Sequence, residues 1–146
     1  MTDPGTQNFD RHTRWYPLFH FFAGPVTLFY ALYQLSLAVR HPSHDSILYA
    51  VFTLAVVGAV FASRLMALTV QDRVIRLEET LRMQRVLPAS MHGDIAKLTR
   101  GQFVALRFAP DEELTDLVRR TVAGEMANPK AIKQAIKKWR GDYLRA

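Results

Sequence analysis

The chain has 146 residues, no cysteine and a formal net charge of +6. The lack of cysteine excludes disulfides, thiolate metal sites, iron–sulfur clusters and cysteine nucleophiles. Residues 64–146 contain 16 Lys and Arg against 10 Asp and Glu, so this half of the chain carries the whole net charge of +6.

Two apolar runs follow an N-terminal tail that we place at residues 1–14. No charged residue occurs in the 25 positions from Trp15 to Val39 or in the 18 positions from Ser46 to Ser63. A bilayer core is about 30 Å thick, and a helix needs about 20 apolar residues to cross it. The sequence therefore predicts an all-α membrane protein with a transmembrane hairpin over residues 15–70, its spans at about 15–39 and 46–68.

Basic residues near the span ends predict the orientation of this hairpin. Arg11 and Arg14 precede the first span, whereas the connecting turn holds only Arg40, offset by Asp45. Five arginines follow the charge-free part of the second run: Arg64, Arg73, Arg76, Arg82 and Arg85. Because basic residues mark the cytoplasmic side of a membrane, we expect both termini in the cytoplasm. The first run is longer than the ~7–15 residues of a signal-peptide core, so we expect it to be retained.

The first span contains two features of interest besides its interfacial Trp15 and Tyr16. Gly24-Pro25 lies inside the span and predicts a kink or a loosened turn. His20 is the only histidine in a span, and ionisable residues within membranes are candidates for function. A haem-holding redox subunit is therefore one alternative, although the second span offers no His, Asp or Glu as a second ligand.

Small residues on the second span predict a packing face. The face comprises Ala55, Gly58, Ala59, Ala62 and Ser63. Small residues at such spacing let two membrane helices approach closely. We expect this face to pack on the first span of the same chain, and contact with another copy is the alternative.

The second span is predicted to continue beyond the bilayer as one helix. No glycine or proline occurs from Ala59 to Leu87, and the part beyond the membrane would project roughly 25–30 Å. Asp72 with Arg76, and Glu78 with Arg82, have the acid-before-base order that favours i,i+4 ion pairs.

A short heptad pattern lies on the same predicted helix. Val70, Val74, Leu77 and Leu81 are spaced by four, three and four residues, as in a coiled coil. The pattern is too short to establish a coiled coil, and we expect these residues to form a groove for the helices downstream.

Residues 71–146 are predicted to form a small cytoplasmic helical region. Pro88 ends the long helix, and Thr99 with Gln102 has the pattern of a capping box that opens a helix through Phe108. Another helix begins at Pro110-Asp111 and stops at Gly124. Its first turns hold four acidic residues, Asp111, Glu112, Glu113 and Asp116. Helix polarity explains these carboxylates without a catalytic role.

The last predicted helix opens at Asn128-Pro129 and is basic and amphipathic. Its apolar residues are Ile132, Ala135, Ile136, Trp139 and Tyr143. Its candidate contact residues for a partner or lipid are Lys130, Lys133, Lys137, Lys138, Trp139 and Arg140. Such a helix closes a small core, lies on an anionic bilayer, or enters the groove of a partner. Nucleic acid is the least favoured ligand, because charge alone is a weak signal for it.

The sequence contains no pattern that predicts catalysis. It has no serine–histidine arrangement, glycine-rich phosphate loop or metalloprotease spacing. His41, His44 and Asp45 cluster in the turn between the spans, but a metal would need further ligands that are not nearby in sequence. We therefore expect a protein that is not an enzyme, with no cofactor and no metal.

Three stretches of the cytoplasmic half carry a resemblance to a known family. They read QDRVIRLEETLR, LTRGQFVALRFAPDEELTDLV and NPKAIKQAIKKWRGDYLR. The most specific parts are Ala105 to Ala109 with Asp111, Glu113 and Leu114, and the closing stretch from Ile136 to Arg145. The chain resembles a family of small bacterial two-span membrane proteins of unknown function, and the resemblance covers nearly its whole length. It implies the two-span architecture and a bacterial inner-membrane location, and it implies no activity.

The residues and the resemblance together predict a non-catalytic accessory or scaffold protein that binds a partner at the cytoplasmic membrane face. The partner is another membrane protein or a second copy of the chain. The main alternative is a module that binds anionic lipid, or organises the membrane, through the basic terminal helix. The second alternative is the haem-holding subunit with His20 as ligand.

Overall fold

The computed structural model describes residue 9, residues 15–126 and residues 128–142, and every regular element in these ranges is helical. The elements are a π-helical turn (Leu18–Ala23), α1 (Gly24–Arg40), α2 (His44–Val86), a 3-10 turn (Ala89–Met91), α3 (His92–Ile95), α4 (Arg100–Leu106), α5 (Asp111–Val122) and α6 (Pro129–Ala135). The predicted all-α class is confirmed. The predicted tail at residues 1–14, apart from Phe9, and Tyr143 lie outside the described residues.

The described residues divide into two compact units. One unit holds residues 15–69, and the other holds residues 70–142 together with Phe9. Two helical segments are long and apolar enough to cross a membrane, Leu18–Arg40 with 23 residues and His44–Val86 with 43 residues. Large apolar side chains on the first unit are widely exposed, among them Phe29 and Val39. Apolar surface of this extent on two long helices is suited to contact with lipid.

The predicted distortion at Gly24-Pro25 takes the form of a π-helical turn. Pro25 has no backbone N–H to donate, and the Gly24 N–H donates to the carbonyl of Phe19, five residues back. A Cβ atom on Gly24 would lie 3.0 Å from that carbonyl oxygen. The glycine therefore permits the close backbone approach that the π turn requires.

The expected packing of the small-residue face on the first span is wrong. Ala55, Gly58, Ala59, Ala62 and Ser63 are all exposed. The buried side of α2 in this unit instead carries Ala50 and Thr53. The Thr53 hydroxyl donates to the carbonyls of Tyr49 and Ala50. Its polar group is therefore satisfied within the helix, and its small side chain allows close packing. A contact between the exposed face and another chain stays a prediction.

The predicted continuity of α2 is confirmed, because the helix runs without interruption from His44 to Val86. The two ion pairs predicted along it are wrong. Asp72 pairs with Arg100 of α4 at 3.5 Å, and Arg82 pairs with Glu79 at 3.0 Å. Arg82 also pairs with Asp111 of α5. Contacts with α4 and α5, and with the buried Glu79, therefore decide the positions of these side chains.

The heptad residues of α2 do not form the expected groove. Val70, Val74, Leu77 and Leu81, which we call the heptad stripe, are 47–61% exposed. The residues of α2 that face the core lie on the opposite side of the helix and include Ile75 and Met83. The downstream helices therefore pack on one side of α2 and leave the heptad stripe uncovered.

Helices α4, α5 and α6 contribute five of the seven largest fully buried side chains of the second unit. Its largest fully buried side chains are Phe103, Phe108, Met83, Leu106, Leu114, Ile132 and Val118. The predicted capping box is confirmed, since Thr99 and Gln102 bond reciprocally at the start of α4. Gly124 adopts a φ of 86° after α5, as a helix-terminating glycine does. The Asn128 side chain accepts from the Ala131 N–H and caps α6.

Candidate functional site

The basic C-terminal residues lie on a short helix and an extended segment that follows it. Helix α6 ends at Ala135, and Ile136 is extended with φ −70° and ψ 122°. The prediction of one amphipathic helix reaching towards Tyr143 is therefore wrong within the described residues. We call residues 130–140 the basic segment.

Tertiary hydrogen bonds hold the extended part of the basic segment. Both oxygens of the Glu113 carboxylate accept backbone N–H groups, one from Lys137 and one from Lys138, each at 2.9 Å. The Arg140 N–H donates to the carbonyl of Phe108 at 2.8 Å. In a continued helix, these three backbone N–H groups would donate to carbonyls of the preceding turn. Here the Glu113 carboxylate and the Phe108 carbonyl accept them instead, which favours the extended conformation.

The apolar side of the basic segment is used inside the protein. Ile132 and Ile136 are buried in the core. Trp139 is half-buried, and its ring centroid lies 4.9 Å from that of Phe108. Pro129 approaches α4 at Gly101, where a Cβ atom would lie 2.9 Å from the proline ring. Gly101 therefore leaves room for α6 to pack closely on α4.

Most of the predicted cationic side chains remain on the surface. Lys130, Lys137, Lys138 and Arg140 are exposed. Lys133 is half-buried, and its ammonium lies 5.6 Å from the centroid of the Phe108 ring, a cation–π arrangement. Lys133 therefore differs from the other predicted contact cations, because it packs on the core and they are exposed.

An ionic cluster lies next to the basic segment. Its members are Glu79, Arg82, Arg107, Asp111, Asp142 and Arg140, of which Glu79, Arg82 and Arg107 are buried whereas Asp111 and Arg140 are exposed. The Arg82 guanidinium donates to Asp111 at 2.7 Å, to Glu79 at 3.0 Å and to the carbonyl of Ala109 at 2.7 Å. Arg140 reaches Glu79 from the basic segment at 3.5 Å. Arg82 therefore ties α2 to the start of α5, and Glu79 ties α2 to the end of the basic segment.

Burial sets the protonation equilibrium of Glu79. Removal of this side chain from water raises the pKa of its carboxyl above the ordinary value of 4.5, because burial disfavours the charged form. The attraction of Arg82 and its hydrogen bond act in the opposite direction and offset part of that effect.

Arg107 is the least satisfied member of the ionic cluster. It is 6% exposed, and its guanidinium lies 4.5 Å from the centroid of the Phe108 ring. Its Nε lies 3.1 Å from a carboxylate oxygen of Asp142, which is an ion-pair distance, but the geometry is not that of a hydrogen bond. Among the described residues, neither its Nε nor its Nη1 has a hydrogen-bond partner. Burial lowers the pKa of its guanidinium. Arg107 borders a cleft of about 490 Å³ that Arg82, Arg85 and Arg140 also line.

Sequence reasoning did not find the ionic cluster, because its members come from α2, α5 and the irregular segments after α4 and α6. The acidic residues at the start of α5 were explained by helix polarity alone, but Asp111 binds Arg82 and Glu113 binds the basic segment. The sequence contains one signal for this cluster, the spacing of its residues on α2. Glu79 and Arg82 follow Ile75 by four and seven residues, so a helix places them on the same side as Ile75 and Met83, and all four are buried.

The predicted histidine candidates are not brought together. The Nδ1 atom of His20 lies 3.0 Å from the N and 2.9 Å from the O of Tyr16 in its own chain segment. His41, His44 and Asp45 are exposed in the turn region between α1 and α2. Within the described ranges, no group of three or more His, Asp and Glu has the arrangement of a metal site.

Comparison with known proteins identifies a family for the chain. No curated protein and no solved structure matches it. The model of a family of unknown function, DUF6526, matches residues 1–146. The three stretches singled out in the sequence predict a family of unknown function, and the chain belongs to the DUF6526 family.

Proposed function

We propose that this protein is a non-catalytic accessory or scaffold protein of the bacterial inner membrane that binds a partner protein at the cytoplasmic face. Its two spans would place both termini in the cytoplasm. The exposed cations of the basic segment, Lys130, Lys137, Lys138 and Arg140, would form the contact surface.

The observation that carries this proposal is the fixed conformation of the basic segment. Glu113 and the carbonyl of Phe108 hold its backbone from Lys137 to Arg140. A surface ordered before binding loses less conformational entropy when a partner docks. The segment also presents a half-buried Trp139 next to an exposed Arg140, and Trp and Arg are common among the residues that dominate protein interfaces.

A protein partner is favoured over insertion into lipid. A helix that lies in a membrane interface needs a free apolar side to bury among the lipids. Here Ile132 and Ile136 are buried in the protein core, and the helix stops at Ala135. The basic segment therefore offers charge without a free apolar helix face, which suits a polar protein surface better than a bilayer.

Site-specific photocrosslinking in native membranes tests the proposal. A photoreactive residue at Lys138 of the full-length protein should give a discrete protein adduct. The same residue at Arg119, which is exposed on α5, should not give that adduct. Reversing charge with Lys130→Glu and Lys137→Glu should remove the adduct, and raised salt should weaken it. Adducts with lipid alone, or a protein adduct unaffected by charge reversal, would contradict a charge-directed protein partner.

A further inference from the structure

The heptad stripe of α2 is an apolar surface on the second unit that nothing in the chain covers among the described residues. Val70, Val74, Leu77 and Leu81 are each about half exposed or more, whereas Ile75 and Met83 on the same helix are 6% and 0% exposed. Successive residues of an α-helix are about 100° apart. The four residues of the heptad stripe therefore lie within an arc of about 60°, opposite the side that faces the core.

We infer that two copies of this protein pair in parallel through the heptad stripe. The spacing of four, three and four places Val70 and Leu77 at heptad position d, and Val74 and Leu81 at position a. A β-branched residue at a with leucine at d favours a two-stranded parallel coiled coil. Val74 followed by Leu77 has this combination. The surface is separate from the basic segment, so the inference goes beyond the proposed function.

Charges beside the heptad stripe fit a second copy of the chain. In this register Arg73 is at position g and Glu78 is at position e. In a parallel pair, a residue at g meets the residue at e five positions later on the partner helix. Arg73 of each copy therefore meets Glu78 of the other, and the two-fold symmetry makes two such pairs. Both side chains are exposed, and neither forms an ion pair with another described residue.

The other flanking positions do not oppose this arrangement. Arg85 at position e meets the neutral Thr80 at position g, and Gln71 at e meets Met66 at g. An antiparallel pair would align e with e and g with g, so Arg73 and Glu78 would not meet. The charge pattern therefore selects the parallel orientation, which two copies inserted the same way in one membrane would share. Confinement to a membrane also raises the effective concentration of the two copies, which helps a short seam to associate.

Disulfide crosslinking tests the inference directly, because the natural chain has no cysteine. The full-length variants Val74→Cys and Leu77→Cys, in membranes at low expression, should form covalent dimers on mild oxidation. Arg76→Cys is the matched control, since Arg76 is exposed on the same helix but lies outside the heptad stripe. Equal crosslinking at Arg76 and Leu77, or no crosslinking at either position of the heptad stripe, would overturn the inference.

A charge exchange distinguishes a second copy from any other occupant. Arg73→Glu or Glu78→Arg alone should weaken association by about fivefold, because two exposed ion pairs become two like-charged pairs. The double variant Arg73→Glu with Glu78→Arg should restore it. Energy transfer between donor- and acceptor-labelled copies in lipid vesicles measures the association. Failure of the double variant to recover would contradict the Arg73–Glu78 contact and with it the parallel pair.

Discussion

At the level of single residues, Arg82 is a central side chain of the second unit. It is buried, and it satisfies Glu79, Asp111 and a backbone carbonyl together. Removing one member of a buried ion pair leaves the other charge uncompensated, which costs far more than the pair contributes when intact. The ionic cluster is therefore a fold determinant that also positions the basic segment.

Arg82→Met should lower the free energy of unfolding by about 3–5 kcal/mol. The methionine keeps much of the side-chain volume but leaves the buried Glu79 without its main partner. Unfolding by urea can be followed by the fluorescence of Trp139 after Trp15→Phe removes the other tryptophan. Arg85→Met, at an exposed position three residues later, should change stability little. Equal effects of the two substitutions would show that the ionic cluster does not support the fold.

Glu79 should make stability depend on pH. Its pKa is raised in the folded protein above the ordinary 4.5, so the folded state holds this proton more tightly than the unfolded state does. This contribution to stability is complete below about pH 4.5 and is lost as the pH rises through the folded-state pKa. The free energy of unfolding of the natural protein, relative to that of Glu79→Gln, should fall as the pH rises above about 4.5. Parallel pH profiles for the two proteins would contradict the raised pKa. Glu112→Gln, which removes an exposed carboxylate that does not act on Glu79, should keep the natural profile.

Trp139→Ala should lower the free energy of unfolding by about 2 kcal/mol. Full burial of tryptophan would give a loss of about 3–5 kcal/mol, but Trp139 is only half-buried against Phe108. Thermal unfolding followed by circular dichroism measures the loss. A negligible effect would mean that the Trp139 ring does not pack on the core in solution.

At the scale of helices, the sequence allowed prediction of what depends on local chemistry. The continuity of α2 follows from the absence of glycine and proline, the start of α4 from Thr99 with Gln102, and the stop after α5 from Gly124. The end of α6 could not be predicted locally, because it depends on Glu113, which lies 24 residues before Lys137 in the chain. The side of α2 that becomes buried could not be predicted locally either, since two sides of that helix carry apolar residues.

Arg76→Pro tests the continuity of α2. A proline inside a helix costs about 3 kcal/mol, and residue 76 lies between the buried Ile75 and Met83 of the same helix. The substitution should therefore lower the stability of the second unit by about that amount. Arg76→Ala, which keeps the helix but removes the same charge, is the control. Equal unfolding curves for the alanine and proline variants would contradict an uninterrupted helix at this position.

At the scale of the whole molecule, both proposals require a protein that crosses a membrane twice. Two helical segments have the length and composition for this, and their large apolar side chains are mostly uncovered within the chain. The proposed partner surface and the proposed pairing of two copies both assume that the second unit lies in the cytoplasm. The distribution of arginines around the spans is the reason to expect that orientation.

Labelling of single cysteines with a membrane-impermeant maleimide tests this topology most directly. Ser43 in the turn and Lys97 in the second unit are both exposed, and the natural chain contributes no background thiol. In intact cells with a permeable outer membrane, Ser43→Cys should be labelled, whereas Lys97→Cys should be labelled only after the inner membrane is opened. Labelling of Lys97→Cys in intact cells, or equal protection of both positions, would contradict a two-span protein with its second unit in the cytoplasm.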